Sequence, residues 1–247
     1  MSRFKMVALD LDGTLLTEEK TISEENRAAI LAAQDAGVTV VFSTGRGIQN
    51  CQAYAEELGL KSPLVTVNGS EVWKAPGELL ERHTLDTELI RRMHALALHY
   101  DTWFWAYCVK EIYNKEHWLP EAEIDAQQWL KFGYYIENAE SLAAIRRELE
   151  SWEKLEITNS HPFNIEVNPK GISKASGLRQ VCAMLGIEMS QVIAMGDSLN
   201  DVAMIREAGL GVAMGNAQEE VKRLADTVTG TNEEHGVAQI IREYALK

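Results

Sequence analysis

Met6-Val7-Ala8-Leu9-Asp10-Leu11-Asp12-Gly13-Thr14-Leu15 is the stretch from which the rest of the chain can be read. Its opening run of four apolar residues has no polar face, the pattern of a strand buried on both sides inside a parallel sheet. The run then breaks into two carboxylates two residues apart, a glycine and a threonine. Gly13 permits the sharp turn by which the backbone leaves the sheet. Side chains at the carboxyl end of a parallel strand face the crevice where open α/β sheets bind ligands. Two aspartates in that position repel each other unless a cation or a transferring group lies between them. Two plainer readings compete. Aspartates are common in solvated turns, and alternating acids also open the calcium loop D-x-[DN]-x-[DN]-G. The calcium reading fails, because Thr14 holds the fifth position and Leu15 stands where the loop needs glycine.

Composition narrows the rest. A chain of 247 residues accommodates one large domain or two smaller ones, either with a proper core. Its 46% apolar and 25% charged residues are ordinary for a globular protein. A formal net charge of -13 argues against nucleic acid or an anionic membrane as partner. It leaves room for a phosphate ligand, which a lysine, backbone N–H groups and a divalent cation can hold locally. Cys51, Cys108 and Cys182 are scattered, with no CxxC pair or Cys/His cluster, so neither a zinc site nor a disulfide framework is expected. Arg3 and Lys5 precede no signal-like apolar stretch, and nothing downstream approaches a membrane span, so the expected compartment is the cytoplasm.

Taken in order, Ser23 reads as the N-cap of a helix ended by Gly37, and Val38 to Phe42 as a second buried strand stopping at Ser43-Thr44-Gly45-Arg46. A helix over 47–58 and a strand over 63–67, ending in Asn68-Gly69, continue the alternation. From about Glu71 to Asn164 the alternation becomes irregular, and five of the six tryptophans fall between Trp103 and Trp152. That shift marks a second domain inserted into the first. Trp103, Trp105 and Tyr107 alternate so as to share one face of a strand. The first pattern then resumes. Ser173 opens a helix carrying Lys174, and Val192 to Met195 is a strand ending at Gly196-Asp197-Ser198-Leu199-Asn200-Asp201. The fold expected is α/β: a Rossmann-like doubly wound parallel sheet over 1–80 and 165–247, with an inserted α/β cap over 81–164.

Four separated pieces therefore stand at strand ends or helix starts: Asp10 with Asp12, Thr44-Gly45, Lys174, and Gly196-Asp197 with Asn200-Asp201. In content and order they resemble the four motifs of the haloacid dehalogenase (HAD) phosphotransferases. The wording of Ser43-Thr44-Gly45-Arg46, Lys170-Gly171-Ile172-Ser173-Lys174 and Asn232-Glu233-Glu234-His235-Gly236-Val237-Ala238 is similar to the Cof-type sugar phosphatases. The resemblance implies a Mg²⁺-dependent phosphatase acting on a small phosphorylated metabolite, a sugar phosphate in particular. It implies Asp10 as nucleophile, Asp12 as general acid and then base, and a metal held by Asp10, the Asp12 carbonyl and Asp197. It implies Asp201 as the residue orienting Lys174 or a water on the metal. Thr44, Gly45, Lys174 and Asn200 are the phosphate contacts it implies. General acid catalysis by Asp12 requires a protonated carboxyl, so its pKa is expected above the free value. The alternatives are a phosphomutase on the same scaffold and a non-catalytic sensor of a phosphorylated ligand. Oligomeric state is not readable, and a monomer is compatible with the sequence.

Several residues carry plainer readings. Lys170 rivals Lys174 from the preceding turn, Asn68 serves equally as a turn former, and Arg46 reaches either substrate or nearby acids. Asp201 also suits a helix cap. The six histidines show no ligand spacing, and Gly209 to Gly215 has the wrong spacing for a dinucleotide fingerprint.

Overall fold

The computed structural model describes residues 3–247, which divide into two compact units: residues up to Glu81 with Lys174–Lys247, and Arg82–Ser173. The first unit opens with β1 (Met6–Leu9), α1 (Glu24–Asp35), β2 (Thr39–Ser43), α2 (Gln52–Glu57), β3 (Leu64–Thr66), β4 (Glu71–Ala75) and β5 (Glu78–Arg82). The second holds α3 (Thr87–His99), β6 (Trp103–Cys108), β7 (Ile112–Asn114), β8 (Trp129–Tyr135), α4 (Ala139–Ser151), β9 (Leu155–Thr158) and β10 (Asn164–Pro169). The first resumes with α5 (Lys174–Leu185), β11 (Val192–Gly196), α6 (Val202–Glu207), β12 (Leu210–Ala213), α7 (Glu219–Leu224), β13 (Thr227–Val228) and α8 (Gly236–Ile240).

The first unit is one eight-stranded sheet in the order β13-β12-β11-β1-β2-β3-β4-β5. The pairings from β13 to β3 are parallel, and β4 returns antiparallel to β3. β1 lies between β11 and β2, which is why its four residues are all apolar and fully buried. Val7 and Leu9 pack on one face with Ala29 and Ile30 of α1 and Val237 of α8. Met6 and Ala8 pack on the other with Ala175, Leu178 and Val181 of α5. Helices thus cover both faces, as a doubly wound sheet requires. α1 begins where the sequence places it: Ser23 Oγ accepts the Asn26 N–H at 3.3 Å, and Glu24 and Glu25 occupy the first turn. The continuous helix expected over 47–58 is instead a 3₁₀ turn, Ile48–Asn50, followed by α2, because Cys51 leaves helical geometry at φ -125°.

The second unit is a five-stranded sheet, β7-β6-β8-β10-β9, with antiparallel pairings throughout. Leu89, Ile90 and Met93 of α3 and Ile145 and Leu149 of α4 share a core with Phe104, Phe132, Tyr134, Ile165 and Val167. Along β6 burial alternates, and Trp103, Trp105 and Tyr107 hold the less buried face together, as expected. The expected domain boundary at 165 is corrected here. β10 is hydrogen-bonded between β8 and β9, so the strand belongs to the smaller sheet and the first unit resumes only at Lys174. Among the described residues, no helix is long and apolar enough to cross a membrane.

Candidate active site

Strand ends bring the separated motifs together within the first unit. Asp10 follows β1 and keeps its register, its N–H donating to the Met195 carbonyl of β11 at 3.1 Å. The chain then coils through one tight turn, in which Thr14 and Leu16 donate to the Leu11 carbonyl and Leu15 to that of Asp10. Gly13 has φ +76°, and a Cβ there would lie 2.6 Å from Asp197 Oδ2. Glycine is needed twice over, for the left-handed backbone and for the close approach of the two loops. Gly13→Ala is expected to destabilise the fold by more than about 1 kcal/mol. Thermal unfolding measures it, and an unchanged Tm would show that the loops do not meet as described.

Lys174, the first residue of α5, is 1% exposed and donates to Asp10 Oδ1 at 2.7 Å and to Asp201 Oδ1 at 2.6 Å. Its rival Lys170 is engaged elsewhere, donating to the Glu153 carbonyl at 2.7 Å. Asp201 Oδ2 accepts the N–H groups of Asp197 and Ser198, both at 3.0 Å, so this buried carboxylate sets the lysine and the Asp197 loop at once. Asp10, Asp197 and Asp201 each offer an oxygen within 4.8 Å of the others. Three carboxylates face one ammonium, and the imbalance shows in the acidities of Asp197 and Asp10. Burial first, then the neighbouring Asp201, pushes Asp197 up to about 7. Burial also raises Asp10 well above the carboxylate range despite Lys174, with Asp201 and Asp197 adding to the effect. Asp197 Oδ2 accepts from Ser198 Oγ at 2.9 Å, while its Oδ1 is buried with no hydrogen-bond partner. A buried, unpartnered carboxylate oxygen beside two further carboxylates is a donor set fitted to a hard divalent cation.

Thr44 follows β2, and its hydroxyl oxygen accepts the Arg46 N–H at 3.1 Å. Gly45 does not stand at a helix start, as the sequence reading had it; α2 begins only at Gln52. β3 runs into Val67 and Asn68, both left-handed at φ +51° and +56°. Asn68 N–H donates to the Thr44 carbonyl, and Asn68 Oδ1 accepts from Asn200 Nδ2 at 3.3 Å. A β-branched residue at positive φ costs on the order of 1–3 kcal/mol, and here it accompanies the contact between Asn68 and the Asn200 loop. Asn200 Oδ1 is itself buried without a hydrogen-bond partner.

Asp12 departs from expectation. Arg46 grips its carboxylate with both prongs of the guanidinium, Nε to Oδ2 and Nη2 to Oδ1, each at 2.7 Å, and Lys20 donates to Oδ1 at 2.8 Å. Partial burial opposes ionisation, but the Arg46 and Lys20 hydrogen bonds outweigh it and hold the carboxyl at about 2. The raised pKa expected of Asp12 is therefore corrected for this arrangement of the loops. Lys20 was missed because nothing in its own stretch singles it out; it enters through a left-handed turn at φ +61°.

The family model for haloacid dehalogenase-like hydrolases matches residues 7–135 and 119–241. The chain belongs to that family. Over 242 residues, 98% of this hydrolase and 96% of the relative, it is 51% identical to a 5-amino-6-(5-phospho-D-ribitylamino)uracil phosphatase of Bacillus subtilis (strain 168). A second phosphatase of that name and organism is 32% identical over 263 residues, with 97% of each chain covered. The solved structure of a haloacid dehalogenase-like hydrolase from B. subtilis superposes with a TM-score of 0.89 at 29% identity, covering 97% of this chain and 99% of that one. This hydrolase is accordingly an enzyme of the phosphatase branch of the family.

Proposed function

We propose that the enzyme hydrolyses a small phosphomonoester through an aspartyl phosphate on Asp10, and that its substrate is 5-amino-6-(5-phospho-D-ribitylamino)uracil, an open-chain sugar-alcohol phosphate attached to a pyrimidine. The substrate assignment rests on the 51% identical relative that carries this activity in its name. The mechanism rests on one observation: the buried Asp10–Lys174–Asp201 bridge with the unpartnered Asp197 oxygen beside it.

Asp10 is placed to attack phosphorus, its Oδ1 held by Lys174 so that the carboxylate cannot rotate freely. Attack forms the Asp10–phosphorus bond and breaks the ester bond, and Asp12 passes a proton to the leaving alkoxide. Asp12 then takes a proton from water, whose oxygen displaces Asp10 and frees phosphate. Thr44 through its hydroxyl, Gly45 through its N–H, Lys174 and Asn200 contact the transferring phosphate. Asp10, the Asp12 carbonyl and Asp197 would hold Mg²⁺, which when bound neutralises charge between the attacking carboxylate and the phosphate. Asp201 positions Lys174. Cytoplasmic location fits three scattered cysteines that are all free thiols.

Asp12 carries a proton only after Arg46 and Lys20 loosen their hold. A dianionic phosphate ester competes with Asp12 for those two cations, so substrate binding itself favours release. Lys20→Met is expected to raise the Asp12 pKa toward the ordinary carboxylate value. Because Asp12 must be protonated in the first step, the descending limb of the kcat/KM–pH profile then moves to higher pH. A profile superimposable on wild type would remove Lys20 from this role.

The assay that tests the whole reading is release of inorganic phosphate from the ribitylaminouracil phosphate and from hexose phosphates, with Mg²⁺ and with chelator. Phosphosugar isomerisation without free phosphate would make the enzyme a mutase. No reaction with any ester would leave a binding protein.

A further inference from the structure

The turn that carries Asp12 is held from outside by residues that the reaction scheme does not use. Asn216, in the loop after β12, donates from Nδ2 to the Gly13 carbonyl at 2.8 Å. Its Oδ1 accepts the Asn232 N–H at 3.0 Å, and Asn232 Nδ2 donates to the Leu16 carbonyl at 2.9 Å. Glu233 Oε1 accepts the Glu18 N–H at 2.8 Å. Both asparagine amides are oriented without ambiguity, since each nitrogen meets a carbonyl and the Asn216 oxygen meets an N–H. The bonded positions lie more than 200 residues apart, 203 for Asn216 with Gly13 and 216 for Asn232 with Leu16. Asn232 is 8% exposed, so its two bonds are not surface incidents.

The same segment is tied to the opposite acid. Met214 N–H donates to the Gly196 carbonyl at 3.0 Å and Gln218 N–H to the Asp197 carbonyl at 2.9 Å, which brackets Asn216 between two bonds to the Asp197 loop. We propose that Asn216 and Asn232 are positioning residues: together they clasp both ends of the Gly13–Leu16 turn and fix the Asp10/Asp12 loop against the Asp197 loop. The turn is internally rigid through its bonds to Asp10 and Leu11, so displacing the Gly13 or Leu16 carbonyl moves it as a body. Gly13 already lies against the Asp197 carboxylate, and any such movement changes the gap between the acids. The Asn-Glu-Glu-His-Gly stretch thereby acquires a purpose at the site, although none of its side chains would touch the phosphate.

The inference rests on the phosphatase reading and is tested beside it. Asn216→Asp and Asn232→Asp keep shape but lose the donor and set a carboxylate against a carbonyl. Asn216→Ala, at an exposed position, serves should the buried variant fold poorly. Glu234→Ala is the control, since Glu234 accepts the Thr231 N–H at 3.0 Å within the same segment and has no bond to the turn. With p-nitrophenyl phosphate as substrate, kcat is expected to fall about 10–100-fold in the asparagine variants, as for a reacting group misplaced by a fraction of an ångström to an ångström. KM should change little. The Mg²⁺ concentration for half-activation should rise, and the Mg²⁺-induced increase in Tm, read without substrate, should shrink. Glu234→Ala should alter Tm alone. Asparagine variants that behave like Glu234→Ala, in both the kinetics and the Mg²⁺-dependent melting, would overturn the proposal. A wild-type enzyme that releases no phosphate, yet whose Mg²⁺-induced Tm increase is lost in the asparagine variants, overturns the phosphatase mechanism and leaves the clasp standing.

Discussion

Lys174→Met is expected to abolish phosphate release and to destabilise the metal-free protein by about 3–5 kcal/mol, the range found when one member of a buried ion pair is deleted. The residue is fully buried, and among the described residues its ammonium is the single cation bonded to both Asp10 and Asp201. Burial opposes its charge, but Asp10 and Asp201 outweigh burial and hold its pKa above the ordinary lysine value, so it is charged at neutral pH. Methionine preserves much of the volume, which separates loss of charge from loss of packing. Without the ammonium, Asp10, Asp197 and Asp201 face one another across less than 4.8 Å with no counter-charge. Asp10 and Asp197, whose pKa values burial already raises, are then expected to take up protons. The destabilisation should therefore shrink as pH is lowered toward 5, because protonated carboxyls no longer need a partner. Thermal unfolding across pH 5–8 measures this directly. A Tm close to wild type at pH 8 would show that the bridge contributes nothing to the fold.

How much of this was legible beforehand differs from residue to residue, for identifiable reasons. β1, β2 and β11 read correctly because burial on both faces leaves only apolar residues, and the polar residue that ends each run is then conspicuous. Lys174 was separable from Lys170 by its place at the head of an apolar helix. The expected domain boundary at 165 falls inside β10, although the sequence holds the clue. Asn164-Ile165-Glu166-Val167-Asn168 alternates, as a strand with one core face does. Its odd positions face α4, and Glu166 pairs with the buried Lys131 at 3.2 Å on the opposite face. β1, covered on both sides, does not alternate. Arg46 pairs with a nearby acid, one of the two readings open to it, but that this acid is Asp12, that Lys20 joins it, and that Asn216 and Asn232 clasp the turn are not readable from local pattern. Each depends on which surface loops fold over the strand ends, a matter of contacts between positions up to 216 residues apart rather than of local pattern.

Asp10→Asn separates chemistry from stability. The amide keeps shape and can still accept from Lys174, but it cannot form an acyl phosphate under assay conditions, so phosphate release is expected to fall by ~10⁴-fold or more, comparable to loss of other covalent nucleophiles. Stability should move the other way. Asp10 is held well above its ordinary pKa by burial and by the neighbouring carboxylates. A group whose folded pKa is raised contributes stability below its unfolded pKa and loses it as pH rises through the folded value. At neutral pH and above, the ionised Asp10 of the metal-free protein is therefore a burden on the fold, relieved by the neutral amide. The metal-free variant should melt at or above the wild-type Tm, and the difference should widen with rising pH. Mg²⁺ should then reverse the order, stabilising wild type through the paired carboxylates and the variant much less. Residual activity within tenfold of wild type would remove Asp10 as nucleophile. A variant that melts lower than wild type at pH 8 without metal would mean that the crowding of acids at these strand ends is already compensated within the protein.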